Sequence, residues 1–340
     1  MRSWVKNVMN SGSKVSVIVI THNGKRNLEE CFVSLEKQSY RTFDVYLLDN
    51  ASTDGSSDYV ARNFPWVKIL RFDKNYGFAE GYNKAIDIVK SEYIALLNDD
   101  TVVDPKWLEE LVKAICEDEK VFAVGSKIFF RDEPDIIQSA GLKATRVGLG
   151  IDMHFGEKDD PSLREKFIGV CGAAMLLRRE IFRKLGGFDE NYFAFLEDLD
   201  LCWRAWLSGY KTLLVPTSIV YHKYGGSWGK RMTPKRTYFS QKNSLCNIVK
   251  NFEVGNLVLG LILYFIYAMV LLTLFLTRKQ KENIYSLLRG MKDAFKELKT
   301  TLKKRKIVQA ARVVPDKFLF NHGLIAEISE SIREFLRLKI

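Results

Sequence analysis

The sequence predicts an α/β fold with a mostly parallel sheet flanked by helices. Apolar runs of strand length alternate with segments of helical periodicity, which is typical of a parallel sheet covered on both faces. Polar clusters directly follow several of these runs. Ligands of open α/β sheets bind beyond the carboxyl ends of the strands, so we expect these clusters to form one site.

The predicted elements follow one another closely along the chain. Residues 15–20 are apolar and β-branched, as in a central strand, and Leu28, Phe32 and Leu35 then recur at helical spacing. Further strands are predicted at residues 43–48, 67–72, 93–98, 172–178 and 213–221, and further helices at residues 78–89 and 198–207. Residues 130–168 are rich in Gly, Asp and Pro, and their weak periodicity predicts a long loop.

Composition narrows the class of protein. Hydrophobic residues make up 47% of the 340 residues, which is ample for a core, and the net charge of +11 indicates an anionic partner. The five cysteines show no paired spacing, which argues against a disulfide framework or a zinc site and favours a reducing compartment. No apolar stretch precedes Lys14, so we expect no signal peptide.

Four polar clusters follow four successive predicted strands: residues 21–23, 49–55, 74–83 and 98–100. A carboxylate such as Asp49 can accept a hydrogen bond from a base N–H, and Asn and Ser side chains can hold a ribose. Lys74 can meet phosphate charge, while Gly77 permits close backbone approach. Taken singly, each cluster is also compatible with an ordinary loop, and Asp49 or Asp54 with a helix cap.

The run Asn98-Asp99-Asp100 favours a cation site. Clustered carboxylates at a strand end repel one another, and Mg²⁺ or Mn²⁺ shared with substrate phosphates relieves that repulsion. The alternative is an Asp-rich turn before the next helix, which Asp104-Pro105 would start well. Neither G-x-x-x-x-G-K nor G-x-G-x-x-G is present, so the sequence predicts neither a P-loop nor a dinucleotide site.

A second set of candidates lies downstream. Glu197 and Asp198 open a predicted helix, where the helix dipole favours carboxylates and where one of them could deprotonate a hydroxyl. His222 ends a predicted strand and could ligate a metal through its neutral imidazole. A lone histidine is more often a hydrogen-bonded structural residue.

These motifs together resemble a family 2 glycosyltransferase with the GT-A fold, in the rhamnosyltransferase-like branch. The resemblance runs from about Val15 to about Ser227, two-thirds of the chain. The motifs that carry it are Val-Ile-Val-Ile-Thr-His-Asn (17–23), Asp-Asn-Ala-Ser-Thr-Asp-Gly (49–55), Asn-Tyr-Gly-Phe-Ala-Glu-Gly-Tyr-Asn (75–83), Leu-Asn-Asp-Asp-Thr (97–101), Gly-Gly-Phe-Asp (186–189), Glu-Asp-Leu-Asp-Leu-Cys-Trp-Arg (197–204) and His222.

The resemblance implies an inverting transfer of a sugar from a nucleotide-diphosphate sugar, with UDP or dTDP as the expected nucleotide. It implies that Asp198 is the general base, with Glu197 as the alternative, and that a divalent cation is held by Asp100, with Asn98 and His222 completing its site. Asn98 departs from the family's usual Asp at that position. The expected substrate-binding residues are Thr21, Asn23, Asp49, Asn50, Ser52, Lys74, Asn75, Gly77, Asn83 and Asp99.

The sequence changes character near residue 250. Residues 257–276 contain no charge and have the length of a membrane-spanning helix, and apolar residues from Ile284 to Leu302 then recur at helical steps between lysines and arginines. Both flanks of the apolar stretch are basic, which opposes exporting either of them. We therefore expect a segment that dips into the membrane or lies in its interface. The alternatives are a helix packed on its own domain and a dimer interface.

The sequence therefore predicts an N-terminal extension (residues 1–14), a GT-A catalytic domain (15–250) and a membrane-associating helical tail (251–340). The expected acceptor is a lipid-linked saccharide at the cytoplasmic face of a membrane. Nucleic acid is not an expected partner, and homo-oligomer formation is left open. Two alternatives of other classes remain, a sugar nucleotidyltransferase on a similar sheet and a non-catalytic nucleotide-sugar-binding protein at the membrane.

Overall fold

The computed structural model describes residues 14–160, 167–223 and 232–337, and within them eleven strands and twelve helices. The first half of the sheet is parallel. Its strands are β1 (Val15–Thr21), β2 (Phe43–Asp49), β3 (Lys68–Arg71) and β4 (Tyr93–Asn98), in the order β3-β2-β1-β4. They are joined by α1 (Lys25–Glu36), α2 (Ser56–Asn63) and α3 (Ala79–Ile88). The predicted alternation of strands and helices is confirmed here.

The second half of the sheet is mixed. The elements that follow β4 along the chain are β5 (Thr101–Val103), α4 (Trp107–Ile115), β6 (Val121–Phe130), β7 (Ile137–Ser139), β8 (Leu142–Ala144), β9 (Gly150–Asp152), β10 (Ala174–Arg178), α5 (Arg179–Lys184), α6 (Glu197–Leu207) and β11 (Lys211–His222). Strands β8 and β9 form a separate antiparallel two-stranded sheet. The order continues β4-β10-β6-β11-β5, and β10 runs antiparallel to both of its neighbours. The prediction of one long loop at residues 130–168 is wrong, because β7, β8 and β9 lie there. Strands of three residues are too short to show a period.

Alternation along the strands divides the core between the two faces of the sheet. Val15, Val17 and Val19 of β1 pack on one face, together with α1 and α4. Ile18 packs on the other, together with α3 and α5. Each fully buried aliphatic side chain stabilises the fold by about 1.5–3 kcal/mol relative to an exposed one. Because β1 contributes side chains to both faces, it stabilises the packing of both helical layers.

The C-terminal elements are all helical: α7 (Pro234–Asn251), α8 (Val254–Thr277), α9 (Lys281–Lys296), α10 (Leu298–Ala310), α11 (Asp316–Asn321) and α12 (Ile328–Arg337). Thr233 begins α7 by accepting a hydrogen bond from the Arg236 amide at 3.3 Å, with Pro234 in the first turn. The predicted apolar stretch lies within α8. The predicted basic amphipathic helix is two helices that divide at Glu297, whose carboxylate binds Lys242 of α7 at 2.7 Å.

The helices beyond residue 250 share a hydrophobic cluster with the sheet domain. Trp203 of α6 meets Phe252 edge-on, with ring centroids 4.8 Å apart, and Tyr264 and Ala268 of α8 belong to the same cluster. The chain then returns to the sheet domain, where Ile325 bridges to Ala144 of β8. The predicted domain boundary at residue 250 therefore crosses a continuous core.

Four buried charges connect α6 and α7. The Lys250 ammonium lies 2.5 Å from Asp189 and 2.9 Å from Asp200, and the Arg204 guanidinium lies 2.9 Å from the other oxygen of Asp200. Lys304 of α10 also binds Asp189. Although burial opposes ionisation, Lys250 and Lys304 hold the pKa of the Asp189 carboxyl well below its ordinary value. Arg204 and Lys250 likewise lower the pKa of Asp200 against the effect of burial.

We expect Lys250→Met to lower the free energy of unfolding by about 3–5 kcal/mol, because it leaves two buried carboxylates without their shared cation. Urea denaturation measures this change. The control is Lys113→Met, which removes exposed ion pairs of 2.9 Å with Glu109 and Glu110 and should change stability by no more than about 0.5 kcal/mol. Equal stability of Lys250→Met and the parent would contradict this view of the network.

Candidate active site

The structure brings the predicted strand-end clusters to one edge of the sheet. In the parallel register, Thr21 of β1 lies opposite Asp49 of β2, and Ile20 lies opposite Asn98 of β4. The third cluster joins them through Asn50, whose amide donates to the Gly77 carbonyl at 2.8 Å. The clusters therefore meet where the fold class places its ligands.

Asp99 lies beneath the first loop. Its carboxylate accepts a hydrogen bond of 2.5 Å from the Thr21 hydroxyl, and Gly24 lies so close that a Cβ there would stand 1.8 Å from the same oxygen. Burial and the neighbouring Asp100 raise the pKa of Asp99 to about 7. Asp99 therefore ties β1 to β4, and its predicted contact with substrate stays a prediction.

Asp100 and His222 form a pair across the sheet. Strand β11 is antiparallel to β5 and places His222 opposite Thr101, so the Nε2 atom of His222 lies 3.0 Å from Oδ1 of Asp100. The Gln138 side-chain amide contacts the other ring nitrogen of His222, with its nitrogen at 2.9 Å and its oxygen at 3.1 Å. This contact orients the imidazole from behind, as outer partners of metal-binding histidines commonly do.

The pair fits a divalent cation. A carboxylate oxygen and an imidazole nitrogen suit Mn²⁺ or Mg²⁺, which fill their remaining positions with water and phosphate oxygens. Asn98 is the third predicted ligand. Its backbone carbonyl accepts a hydrogen bond of 2.7 Å from the Thr101 hydroxyl. Within the described ranges no three His, Cys, Asp or Glu side chains gather as a metal cluster, and the predicted ligands Asp100 and His222 are the two that contact each other.

Several of the predicted substrate-binding residues form hydrogen bonds with other residues of the protein. Asp49 is fully buried and accepts from the Ser52 amide at 2.7 Å and from the Ser57 hydroxyl. The Ser52 hydroxyl in turn accepts from the Asn23 amide at 2.9 Å, which joins the first two loops. Asn23 itself has a positive φ of 57°, a conformation that asparagine tolerates better than most residues.

The third cluster is likewise held by backbone contacts. Asn75 accepts from the Gly77 amide at 2.8 Å, and a Cβ on Gly77 would stand 2.3 Å from the Phe193 carbonyl. The close approach that Gly77 permits is therefore to protein backbone. The Asn83 side chain accepts a hydrogen bond of 2.9 Å from the Phe188 amide and donates one of 3.0 Å to the Phe188 carbonyl. These bonds stabilise the Gly-Gly turn that precedes Phe188. Lys74 lies over the Tyr76 ring at 4.6 Å.

Helix α6 begins with the predicted acidic pair. The Asp198 carboxylate accepts from the Gly172 amide at 2.8 Å and from the Leu199 amide at 2.7 Å. The next backbone carbonyl, that of Ala173, accepts from the Asn98 amide at 3.0 Å. The Gly172–Ala173 backbone thus connects Asp198 directly to the end of β4. Burial raises the pKa of Asp198, and the two amides oppose that rise.

Glu197 and Asp198 differ in their surroundings. Glu197 is buried, and its Oε2 atom has no hydrogen-bond partner in the part of the chain that the structure describes. Burial and the charge of Asp198 raise the pKa of Glu197 well above its ordinary value. The geometry therefore distinguishes the two carboxylates: that of Asp198 accepts two amide hydrogen bonds, whereas Oε2 of Glu197 accepts none from the described residues.

Sequence reasoning missed two residues of this edge, Gln138 and Asp152. Strand β9 packs on the first turn of α6 through Gly150, which lies near Leu199, and Asp152 ends that strand. Burial raises the pKa of Asp152 to about 6, with Asp198 adding to the rise and His222 opposing it. Asp152 is therefore a buried carboxyl whose charge interacts with those of Asp198 and His222. A three-residue strand in a Gly-rich stretch offers no pattern that would reveal it.

Comparison with known proteins identifies the family. The family model of glycosyl transferase family 2 matches residues 16–186. The chain belongs to glycosyl transferase family 2.

This family 2 glycosyltransferase is 28% identical over 242 residues to an N-acetylglucosaminyl-diphospho-decaprenol L-rhamnosyltransferase of Mycobacterium tuberculosis, a match that covers 63% of this chain and 77% of that one. It is also 28% identical over 239 residues to a Sinorhizobium fredii protein, y4gI, of which the match spans only 26%.

Solved structures share the fold. The mannosyltransferase PcManGT of Pyrobaculum calidifontis, in complex with GDP-Man and Mn²⁺, superposes with a TM-score of 0.55 at 19% identity, covering 89% of this chain and 86% of that one. GalNAc-T7 with UDP, GalNAc and Mn²⁺ superposes with a TM-score of 0.58 at 19% identity, covering 71% of this chain and 48% of that one. The fold of this glycosyltransferase is therefore GT-A, as the sequence predicts.

Proposed function

We propose that this glycosyltransferase moves a sugar from a nucleotide-diphosphate sugar to a hydroxyl of a lipid-linked saccharide, with inversion at the anomeric carbon. The observation that carries the proposal is the Gly172–Ala173 backbone, which joins Asp198 on one side to the end of β4 on the other. This connection supports the proposal that the base, Asp198, and the cation-binding carboxylate, Asp100, act on the same substrate. A single in-line displacement requires a base on one side of the anomeric carbon and stabilisation of the departing diphosphate on the other.

Asp198 carries the proton transfer. Its carboxylate takes the proton of the acceptor hydroxyl as that oxygen bonds to the anomeric carbon, and the bond from this carbon to the diphosphate breaks on the opposite face. A divalent cation held by Asp100 and His222, with Asn98 beside them, would neutralise the charge of the departing diphosphate. Gln138 keeps the His222 ring turned toward Asp100.

In this proposal, the loops that follow β1, β2 and β3 form the binding site for the sugar-nucleotide donor. Thr21, Asn23, Asp49, Asn50 and Ser52 shape the base and ribose site, and Asn75, Gly77 and Asn83 keep the third loop against it. Lys74, at the start of that loop, meets phosphate charge. UDP or dTDP is the proposed nucleotide. The presence of UDP or GDP-Man in structures of the same fold supports a nucleotide-linked donor of this kind.

The lipid-linked acceptor is proposed from the relative and from the surface of α8. The M. tuberculosis relative is named for a diphospho-decaprenol-linked acceptor. Helix α8 is long and apolar enough to cross a membrane by length and composition, but one stripe of it packs on the protein. That stripe consists of Gly260, Tyr264, Ala268, Leu271 and Phe275, and the opposite face exposes Val258, Ile262, Phe265, Ile266 and Met269.

The exposed face of α8 continues onto α9. Phe265 of α8 and Phe295 of α9 stack with ring centroids 6.5 Å apart, and both rings are exposed. Along α9 and α10, exposed Leu288, Phe295 and Leu302 alternate with exposed lysines, which are Lys292, Lys296, Lys299 and Lys303. Apolar side chains rimmed by lysines fit an anionic bilayer interface. We propose that this face lies on the cytoplasmic surface of a membrane, where both nucleotide sugars and lipid-linked acceptors are available.

We expect Asp100→Asn to lower the turnover of sugar transfer by two to three orders of magnitude, roughly the effect of losing one key electrostatic group. Release of nucleoside diphosphate from a panel of sugar nucleotides, with lipid extract as acceptor, measures the rate. Chelator should inhibit the parent, and added Mn²⁺ or Mg²⁺ should restore it. Full activity in chelator together with an unaffected Asp100→Asn variant would contradict the cation site. Pyrophosphate release from a nucleoside triphosphate supplied together with a sugar 1-phosphate, without release of nucleoside diphosphate from sugar nucleotides, would identify a nucleotidyltransferase. Release of neither product would indicate a binding protein.

We expect Asp198→Asn to lower transfer by about 10²–10⁴ while donor binding persists, because the amide keeps the shape but does not take a proton. Donor affinity is measured by calorimetry and transfer by product formation. Glu197→Gln is the matched control, since burial favours the uncharged form of Glu197 and its Oε2 atom has no hydrogen-bond partner among the described residues, and it should retain activity within about tenfold. An active Asp198→Asn beside an inactive Glu197→Gln would reverse the assignment.

We expect Ile266→Asp to weaken binding to vesicles that contain anionic lipid by at least tenfold, because it places a charge in the apolar face and repels the headgroups. Flotation with vesicles measures the bound fraction. The control is Ile88→Asp, which changes an isoleucine of similar exposure, 51% against 57%, at the end of α3. Equal loss in both variants, or no loss in Ile266→Asp, would count against this surface.

A further inference from the structure

Helix α7 carries a buried polar row. Asn243, Asn247 and Asn251 recur every four residues on one face of the helix, and none of the three exposes any surface. Helix faces of this composition usually meet water. Buried amides are retained where their hydrogen bonds hold something in place, because an unpaired one is costly.

Asn243 is bonded to the turn that precedes the acidic pair. Its side-chain nitrogen donates to the Ala194 carbonyl at 2.9 Å and to the Phe195 carbonyl at 2.7 Å. In the part of the chain that the structure describes, its side-chain oxygen has no partner. The amide therefore acts on this turn and on no other part of the described structure.

The turn adopts an unfavourable backbone. Phe195 and Leu196 both have positive φ angles, 69° and 67°, although neither is glycine. Bulky residues in this region are uncommon and persist where the surroundings over-determine them. Glu197 and Asp198 follow immediately, so the direction in which Asp198 leaves the turn depends on these two residues.

The flanks of the turn are held separately by α7. The Tyr192 hydroxyl donates to Asn247 at 2.9 Å, and Asn247 donates to the Gly148 carbonyl, also at 2.9 Å. Asn251 donates to Asp200 at 3.1 Å. Of the three asparagine side chains, that of Asn243 contacts the carbonyls of the turn itself, at Ala194 and Phe195, whereas the other two contact segments on either side.

We propose that Asn243 is a positioning residue for catalysis: it holds the Phe195–Leu196 turn in the conformation that directs Asp198 at the acceptor hydroxyl. The inference rests on the proposed role of Asp198 as the base. In this proposal, the orientation of the Asp198 carboxylate depends on α7. This helix lies beyond the segment that the family model matches, which ends at residue 186.

The test compares Asn243→Ala with Asn247→Ala. Both remove a fully buried amide of α7 that donates to a backbone carbonyl, so both should lower the melting temperature to a similar extent. Asn243→Ala should lower kcat by about 10- to 100-fold with the donor KM within threefold of the parent, since a displacement of about 1 Å can cost 10²-fold. Asn247→Ala should leave kcat within about threefold. An equal fall of kcat in both variants would overturn the proposal, as would an unchanged kcat in Asn243→Ala.

A second pair of variants keeps the test decisive if Asn243→Ala does not fold. Asn243→Asp preserves the shape but loses the amide donors, and its kcat should fall as for Asn243→Ala. Adding Phe195→Gly, which accepts positive φ without strain, should recover at least threefold of that loss. No recovery, or parent-like activity of Asn243→Asp, would refute the proposal. Asp198→Asn separates the two ideas: full transfer by that variant refutes the proposed base, whereas its inactivity beside parent-like Asn243 variants refutes only the positioning role.

Discussion

Lys250 lies between two carboxylates that come from different parts of the chain, Asp189 before the acidic turn and Asp200 within α6. All three side chains are almost completely buried, and the ammonium is within 3 Å of both acids. Arg204 binds Asp200 from the other side and donates to the carbonyls of Leu185 and Gly187 at 2.6 and 2.7 Å. The segment from the Gly-Gly turn to α6 is therefore held at both ends by fixed charges.

A buried network of this kind is a poor source of stability compared with well-packed apolar side chains of equal volume, because desolvation offsets most of the attraction. Its effect is positional. Removing one member leaves an unpaired charge, so alternative placements of the segment are strongly disfavoured. Glu197 and Asp198 lie between the two anchored ends, Asp189 and Asp200, and so does the turn whose two residues of positive φ are not glycine.

Much of this arrangement could be predicted from local patterns, and the rest could not. Apolar runs in the sequence predict strands β1 to β4. Because ligands of open α/β sheets bind beyond the carboxyl ends of the strands, the sequence also predicts that Thr21, Asp49 and Asn98 lie close together. The pairing of Asp100 with His222 follows once β11 is known to lie beside β5, which no local pattern specifies. Strand β9 and its Asp152 were missed because three residues show no period. The row Asn243, Asn247 and Asn251 was missed because a polar helix face normally indicates solvent.

The same limit applies to the tail. Charge and hydropathy distinguish an apolar helix from a basic one, but they do not say which stripe of each helix packs on the protein. In the structure the Tyr264 hydroxyl of α8 donates to Gln241 of α7 at 2.9 Å, and Gly290 of α9 lies against the backbone of Tyr238. Gln241 and Asn243 are two residues apart on α7 and both fully buried. One face of this helix thus binds α8, and the nearly opposite face binds the turn that precedes Asp198. Helix α7 therefore lies between α8 and the turn that precedes Asp198, and it contacts both through buried side chains.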